Sequence, residues 1–532
     1  MRRTLPEAVC EDDSGSGQIE EKMVEEKKVK EIVSQLTSEE KAGLCSGADF
    51  WHTKAVERLD LPRVMMCDGP HGLRKQEGQG DHLGINKSIE TVCYPTASAL
   101  AASFEIEVLG RLGEALGQEC QAEDVGMLLG PGLNIKRSPL CGRNFEYFSE
   151  DPYLAGKLAA AYIKSLQSKG IAACVKHFAA NNQETERMNG SSQVDERTLY
   201  EIYLPAFEAA VKEGKTRSVM CAYNGINGTF CSENRELLTD ILRDRWGFGG
   251  FVVTDWGAAK DAVKGIRAGL NLIMPGGYDG VKQAILAAVE NGELSEEELD
   301  KAVGSIVQFV KDYQEQSEKE SSIDRKELAK LAEELAEECA VLLKNDDILP
   351  LQKNSKVAFI GEFAVKPRYQ GSGSSFINVP RVEGALEAAD GCGVSYAKGY
   401  TARAREPEKL LIEEAVRLAE KSQAAVIFAG LPDEFESEGV DRNTLEMPEN
   451  QNALIEAVAK VQPNTVVVLH GGAPMLLPWL PRVKAVLHMY LGGQEVGKAA
   501  VRLLYGEKDP SGKLAETWPL RLQDTPSFLN FP

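Results

Sequence analysis

Asp255 is the residue on which a chemical reading of this sequence turns. It stands in Gly249-Gly250-Phe251-Val252-Val253-Thr254-Asp255-Trp256-Gly257, where aromatic and β-branched residues between glycines end on a carboxylate followed by an indole. Such a run predicts a short strand of a parallel sheet, with Asp255 at its carboxyl end, where α/β folds place their ligands. A carboxylate there points to chemistry. The competing reading is that Asp255 caps a following helix, since Ala258-Ala259 begin a helix-friendly run.

Other predicted strands decide between these readings by ending the same way. Val64-Met65-Met66-Cys67 leads to Asp68-Gly69-Pro70-His71-Gly72-Leu73-Arg74, and Met127-Leu128-Leu129-Gly130 leads on to Lys136-Arg137 and Gly142-Arg143-Asn144-Phe145-Glu146. Ile171-Ala172-Ala173-Cys174-Val175 ends on Lys176-His177-Phe178, and Ser218-Val219-Met220-Cys221-Ala222 ends on Tyr223-Asn224. Taken singly, Lys176 or Arg187 reads as a surface charge, Asp68-Gly69-Pro70 as a turn and His177 as a hydrogen-bonded core residue. Recurrence at successive strand ends favours a shared site. Asp68, Arg74, Arg143, Lys176, His177, Arg187, Tyr223 and Asp255 then face one another, a crowd of donors around carboxylates. A polyhydroxylated ligand needs such a set, because each hydroxyl wants a fixed partner, and Trp256 offers an apolar face to a sugar ring.

These residues require elements to hold them. The apolar runs alternate with helical stretches, such as those starting near Asp151-Pro152 and running from Asp195 to about Lys212. Alternation of this kind predicts a parallel sheet closed into a β/α, TIM-like barrel over residues 28–313. Residues 1–27 read as a disordered tail and 314–325 as a polar linker. Helical periodicity resumes from Lys326 to Leu343. Strands are then predicted at Val357 to Ile360, Ala425 to Phe428, Thr465 to Leu469 and Ala485 to Met489. They make residues 326–532 an α/β sandwich built on a doubly wound sheet. Gly371-Ser372-Gly373-Ser374-Ser375 lacks the lysine and the spacing of a nucleotide loop. Asp433 to Arg442 is an acidic loop after a strand, which composition alone reads as a solvated surface.

A chain of 532 residues exceeds one ordinary core, and 43% hydrophobic with 27% charged residues is a soluble globular balance. The net charge of -21 argues against nucleic acid or an anionic membrane as the main partner. Eleven cysteines and six histidines show no paired metal-ligand spacing, so a metal site is not expected. No apolar run is long enough to span a bilayer, and the N-terminus lacks a secretory core, so a cytoplasmic location is expected. A homo-oligomer is compatible with all of this.

The phrases from Asp68 to Arg74, Asn134 to Glu146, Lys176 to Thr185 and Phe251 to Gly257 resemble glycoside hydrolase family 3, most of all its β-glucosidases. The resemblance runs from about Leu36 to the C-terminus. It implies a retaining mechanism with Asp255 as nucleophile. It also implies that Asp68, Arg143, Lys176 and His177 grip the terminal sugar, with Arg74, Arg187, Tyr223 and Trp256 in or around that pocket. Cations near Asp255 would favour its ionised form. Glu438-Gly439-Val440-Asp441-Arg442 is similar to the family's acid/base motif, which puts that role on Glu438, with Glu436 as the fallback. Burial between domains would raise Glu438 toward the range of a general acid. The Gly/Ser loop at 371–375 lies near the active site in such enzymes.

The expected function is hydrolysis of terminal β-glucosyl residues from small or oligosaccharide glycosides without a cofactor. A β-xylosidase or mixed-specificity β-glycosidase is the alternative, and a sugar-binding protein without turnover is the alternative of another class. Similar β-glucosidases continue into a fibronectin-like β-sandwich where this sequence stops at Pro532, so it reads either as a two-domain form or as a truncated one.

Overall fold

The computed structural model describes residues 14–78, 80–81, 85–316 and 323–532. Five parallel strands form the first sheet in the order Met66–Asp68, Met127–Leu129, Ala172–Phe178, Ser218–Cys221 and Phe251–Thr254. All their residues are buried. A parallel sheet covered on both faces needs apolar residues throughout, which is why these strands read as continuous runs. The sheet curls into a ring through irregular segments. Leu272 N–H donates to Val252, Ile273 N–H to Cys45 and Gly47 N–H to Ile273, while Met66 N–H donates back to Trp51. This is a TIM-like barrel completed by non-strand backbone.

Helices Ile106–Ala122, Pro152–Ser168 and Pro205–Lys212 pack side by side around it. Asp151 caps the second of these, accepting from Tyr153 and Leu154 N–H ahead of Pro152 in the first turn. The helix expected from Asp195 to Lys212 is broken into Glu196–Thr198, a wide turn at Leu199–Tyr203 and a fresh start at Pro205, which has no N–H to continue the ladder.

The expected tail differs more. Helix Ser14–Gln35 runs through its second half, and Val29, Ile32 and Val33 pack it onto the barrel core beside helix Glu296–Gln316. Residues 1–13 of that tail and 317–322 of the expected linker lie outside the described residues.

The second sheet has the order Val394–Ala397, Val357–Ile360, Ala424–Gly430, Thr465–His470, Ala485–His488 and Val341–Asn345, the last antiparallel. Counted along the chain, its parallel strands lie second, first, third, fourth, fifth, a doubly wound order. Its switch point falls between Val357–Ile360 and Ala424–Gly430, where such folds open a crevice at the strands' carboxyl ends. The loops bearing residues 371–375 and 431–442 both leave from there. Helix Arg325–Cys339 stops short of the expected Leu343, because Val341–Asn345 instead pairs with the sheet edge. The two domains touch directly: Thr96 N–H donates to Leu491, and Lys136 pairs with Glu516 at 2.8 Å.

Candidate active site

Strand Phe251–Thr254 delivers Asp255 to the barrel rim, and its N–H is held by Cys221 at 3.1 Å. The next helix begins at Ala262 with Asp261 as its cap, so Asp255 is not spent on capping. One carboxyl oxygen accepts the Trp256 N–H at 2.8 Å. The other, Oδ2, is buried without a hydrogen-bond partner and lies 3.6 Å from His177 Nε2.

The neighbouring strand ends close around it. His177 Nδ1 lies 3.1 Å from the Tyr147 hydroxyl and 3.3 Å from Asn134 Oδ1. Asp68 sits between Lys176 at 3.7 Å and Arg74 at 3.4 Å, and Arg74 reaches on to Asp81 at 3.3 Å. Tyr223 is buried with its hydroxyl donating to the Trp256 carbonyl at 2.9 Å. The Trp256 indole N–H donates to Phe50 at 2.8 Å, and its rings lie beside Trp51 at 5.3 Å. Arg74 and Tyr223 therefore hold neighbours in place.

Glu438 arrives from the second domain. Its Oε1 takes Arg187 Nη1 at 2.9 Å and lies 3.5 Å from Arg143 Nη1, while Oε2 accepts the Ser374 N–H at 2.8 Å. Arg187 in turn lies over the Tyr223 ring at 4.8 Å. Gly373 makes this approach possible: its φ is +110°, and a Cβ there would stand 2.4 Å from that of Glu438. The structure thus brings all the predicted site residues into one group. Glu436 is elsewhere, buried against Arg368 at 3.4 Å and the Gly472 N–H at 2.5 Å.

Both causes expected from sequence act with the expected sign, but at each carboxyl the opposing cause wins. Burial, with the charge of Glu438 beside it, pushes the Asp255 carboxyl above its ordinary range despite Arg143, Arg187 and Lys176. Burial opposes ionisation of Glu438 as well, but Arg143, Arg187 and the Ser374 hydrogen bond override it and hold that carboxyl well below the usual range. The difference lies in distance: two guanidinium groups reach Glu438, whereas the basic group beside Asp255 is His177. Burial and the nearby Arg143, Lys176 and Arg187 hold that imidazole neutral.

Sequence reasoning did not single out Asn134, Tyr147, Ser374, Glu184 or Asp441. Glu184 is buried, accepts from Arg187 at 2.7 Å, and is pushed up to about 7 by burial against the pull of Arg143 and Arg187. Its place in the Lys176 to Thr185 phrase was the available signal. Among the described residues no cluster of histidine, cysteine or carboxylate side chains fits a metal ion.

Residues 18–309 match the glycosyl hydrolase family 3 N-terminal domain and residues 340–531 the family 3 C-terminal domain. Thermostable beta-glucosidase B of Acetivibrio thermocellus is 54% identical across 95% of this chain and 68% of its own length. The exo-alpha-(1->6)-L-arabinopyranosidase of Bifidobacterium longum is 43% identical across 94% of this chain and 68% of its own. Among solved structures, the GH3 beta-glucosidase of Bifidobacterium adolescentis superposes with a TM-score of 0.89 at 43% identity, over 94% of this chain and 73% of that one. With this barrel and site, these matches make the chain a glycoside hydrolase. Within that class it belongs to glycosyl hydrolase family 3.

Proposed function

We propose that this enzyme is an exo-acting β-glucosidase that works by a retaining, two-step mechanism. The observation that carries this reading is the pairing of Asp255, whose Oδ2 has no hydrogen-bond partner, with Glu438 on a loop facing the same group of arginines. The identities of its relatives support the sugar. In the first step Asp255 attacks the anomeric carbon while the bond to the leaving oxygen breaks and that oxygen takes a proton from Glu438. In the second, water attacks the same carbon, gives a proton to Glu438 and releases Asp255. Retaining enzymes hold such carboxyl groups about 5–5.5 Å apart. Asp68, Lys176, His177 and Arg143 bind the sugar hydroxyls, and Trp256 flanks the ring.

The reactive form carries one proton, on Glu438, with Asp255 ionised. In the resting molecule burial raises Asp255 while Arg143, Arg187 and Ser374 lower Glu438, a bias opposite to that form. The pH dependence of kcat/KM is then a bell whose limbs belong to both carboxyls together.

A panel of nitrophenyl β-glycosides bearing glucose, xylose, galactose or N-acetylglucosamine tests the reading, with α-L-arabinopyranoside added. Preference for the glucoside is expected. Silence of the folded protein across the panel would overturn it in favour of a sugar-binding protein. The arabinopyranosidase relative favours a second reading, mixed specificity, which appears as comparable turnover of the arabinopyranoside. Unpaired cysteines throughout the described residues support a reducing compartment, the cytoplasm.

A further inference from the structure

The loop that carries Glu438 leaves one domain and works on a site in the other, so its placement depends on what fastens it there. Backbone and side-chain donors of two barrel loops converge on the carboxylate of Asp441. Its Oδ1 accepts from Gly142 N–H at 3.1 Å and Glu184 N–H at 3.0 Å. Its Oδ2 accepts from Glu184 N–H at 2.9 Å, Thr185 N–H at 2.8 Å and the Thr185 hydroxyl at 2.8 Å. The contact is returned, since the Gly439 N–H donates to Glu184 Oε2 at 2.8 Å. That same oxygen takes Arg187 Nη1, the atom that also reaches Glu438. The backbones lie against each other: a Cβ on Gly142 would stand 1.7 Å from the Val440 carbonyl oxygen.

We propose that Asp441 and Glu184 form a reciprocal latch that docks the Glu438 loop onto the barrel, with Asp441 as a positioning residue for proton transfer. The proposal rests on the reading of Glu438 as acid/base. Charged acceptors make the stronger hydrogen bonds, and a carboxylate, having no donor of its own, suits a cluster of N–H groups. Glu438 binds one end of this cluster through Arg187 and Asp441 binds the other through Thr185, so the loop is fixed on both sides of Gly439. Asp441 makes its hydrogen bonds to barrel groups, and its effect on catalysis passes through the position of Glu438.

The test compares Asp441→Ala, Asp441→Asn, Thr185→Val and Glu438→Ala on aryl β-glucosides whose phenols range from good to poor leaving groups, with thermal melting as the check on folding. Misplacing the acid predicts a loss in kcat/KM of about 10²-fold for Asp441→Ala on poor leaving groups. On a dinitrophenyl glucoside, which needs no proton, the loss stays under about 5-fold. Thr185→Val removes one hydroxyl donor and gives a loss of roughly 5-fold on poor leaving groups. If Asp441→Ala does not fold, Asp441→Asn and Thr185→Val carry the same comparison.

A uniform loss across leaving groups, or none, in folded variants overturns the latch while Glu438→Ala still shows the steep dependence. If Glu438→Ala itself shows no dependence on the leaving group, the acid/base reading fails and the latch with it.

Discussion

The strand end that carries Asp255 and the loop that carries Glu438 treat a buried carboxyl group in opposite ways. Asp255 is fixed by its backbone and has one oxygen with no hydrogen-bond partner, whereas both oxygens of Glu438 are engaged by arginines and a backbone amide. Burial dominates at the first, and charge and hydrogen bonding at the second. The lesson is that burial alone does not set a carboxyl's state; how closely cations and hydrogen-bond donors approach it does. The unpartnered oxygen is free for bond formation, while the gripped carboxyl is held in one position at the cost of favouring its ionised form.

Breaking the first half of the comparison has the largest expected effect. Asp255→Asn removes the charge and leaves the strand intact, so hydrolysis falls by roughly 10³-fold or more with little change in melting temperature. Near-normal turnover would remove Asp255 from the chemistry. Glu438→Ala follows, with a loss of about 10²–10⁴-fold on poor leaving groups. Added azide restores part of the turnover of activated aryl glucosides, because a small nucleophile needs no base in the second step.

Arg187→Gln sharpens the contrast. Arg187 favours the ionised form of both Glu438 and Asp255, so its loss raises both and moves both limbs of the kcat/KM bell to higher pH. A limb that stays or moves down would contradict the electrostatics.

The smallest effect lies away from the site. Glu119 is buried with Tyr94 and the Val92 N–H as hydrogen-bond partners, and burial pushes it up to about 7. Its folded-state pKa exceeds the unfolded one, so its contribution to stability is complete below the unfolded value and is lost as pH rises through about 7. Thermal melting of the wild type should therefore fall relative to Glu119→Gln across that interval. Parallel curves would show that Glu119 does not titrate as burial dictates.

The parts of the fold legible in the sequence were those with local causes. Phe251–Thr254, Thr465–His470 and their neighbours read as strands because sheets covered on both faces require unbroken apolar runs, and in the barrel the candidate site residues stand where the runs end. Val341–Asn345 was absorbed into the helix before it, since its leucines continue the apolar spacing and only the partner Ala485–His488 makes it a strand. The start of helix Ser14–Gln35 reads as tail because its sequence is polar and Gly/Ser-containing, whereas Val29, Ile32 and Val33 further along pack on the barrel. At the site, Asp255 was legible from its strand, whereas Ser374 and Asp441 act on loops far away in the chain. No local pattern encodes such a meeting. The net charge states were not legible for the same reason, since the sequence reveals how many cations there are but not how closely each carboxyl meets them.

The central claim is that Asp255 forms a covalent bond to the sugar. A fluorinated glucosyl donor with an activated leaving group, whose electron-poor ring slows the second step, should accumulate as a glycosyl-enzyme; proteolysis and mass spectrometry then locate the adduct. The added mass is expected on the peptide containing Asp255, with release of the leaving group in equal amount. An adduct on any other residue, or steady turnover of the donor with no adduct, would contradict it.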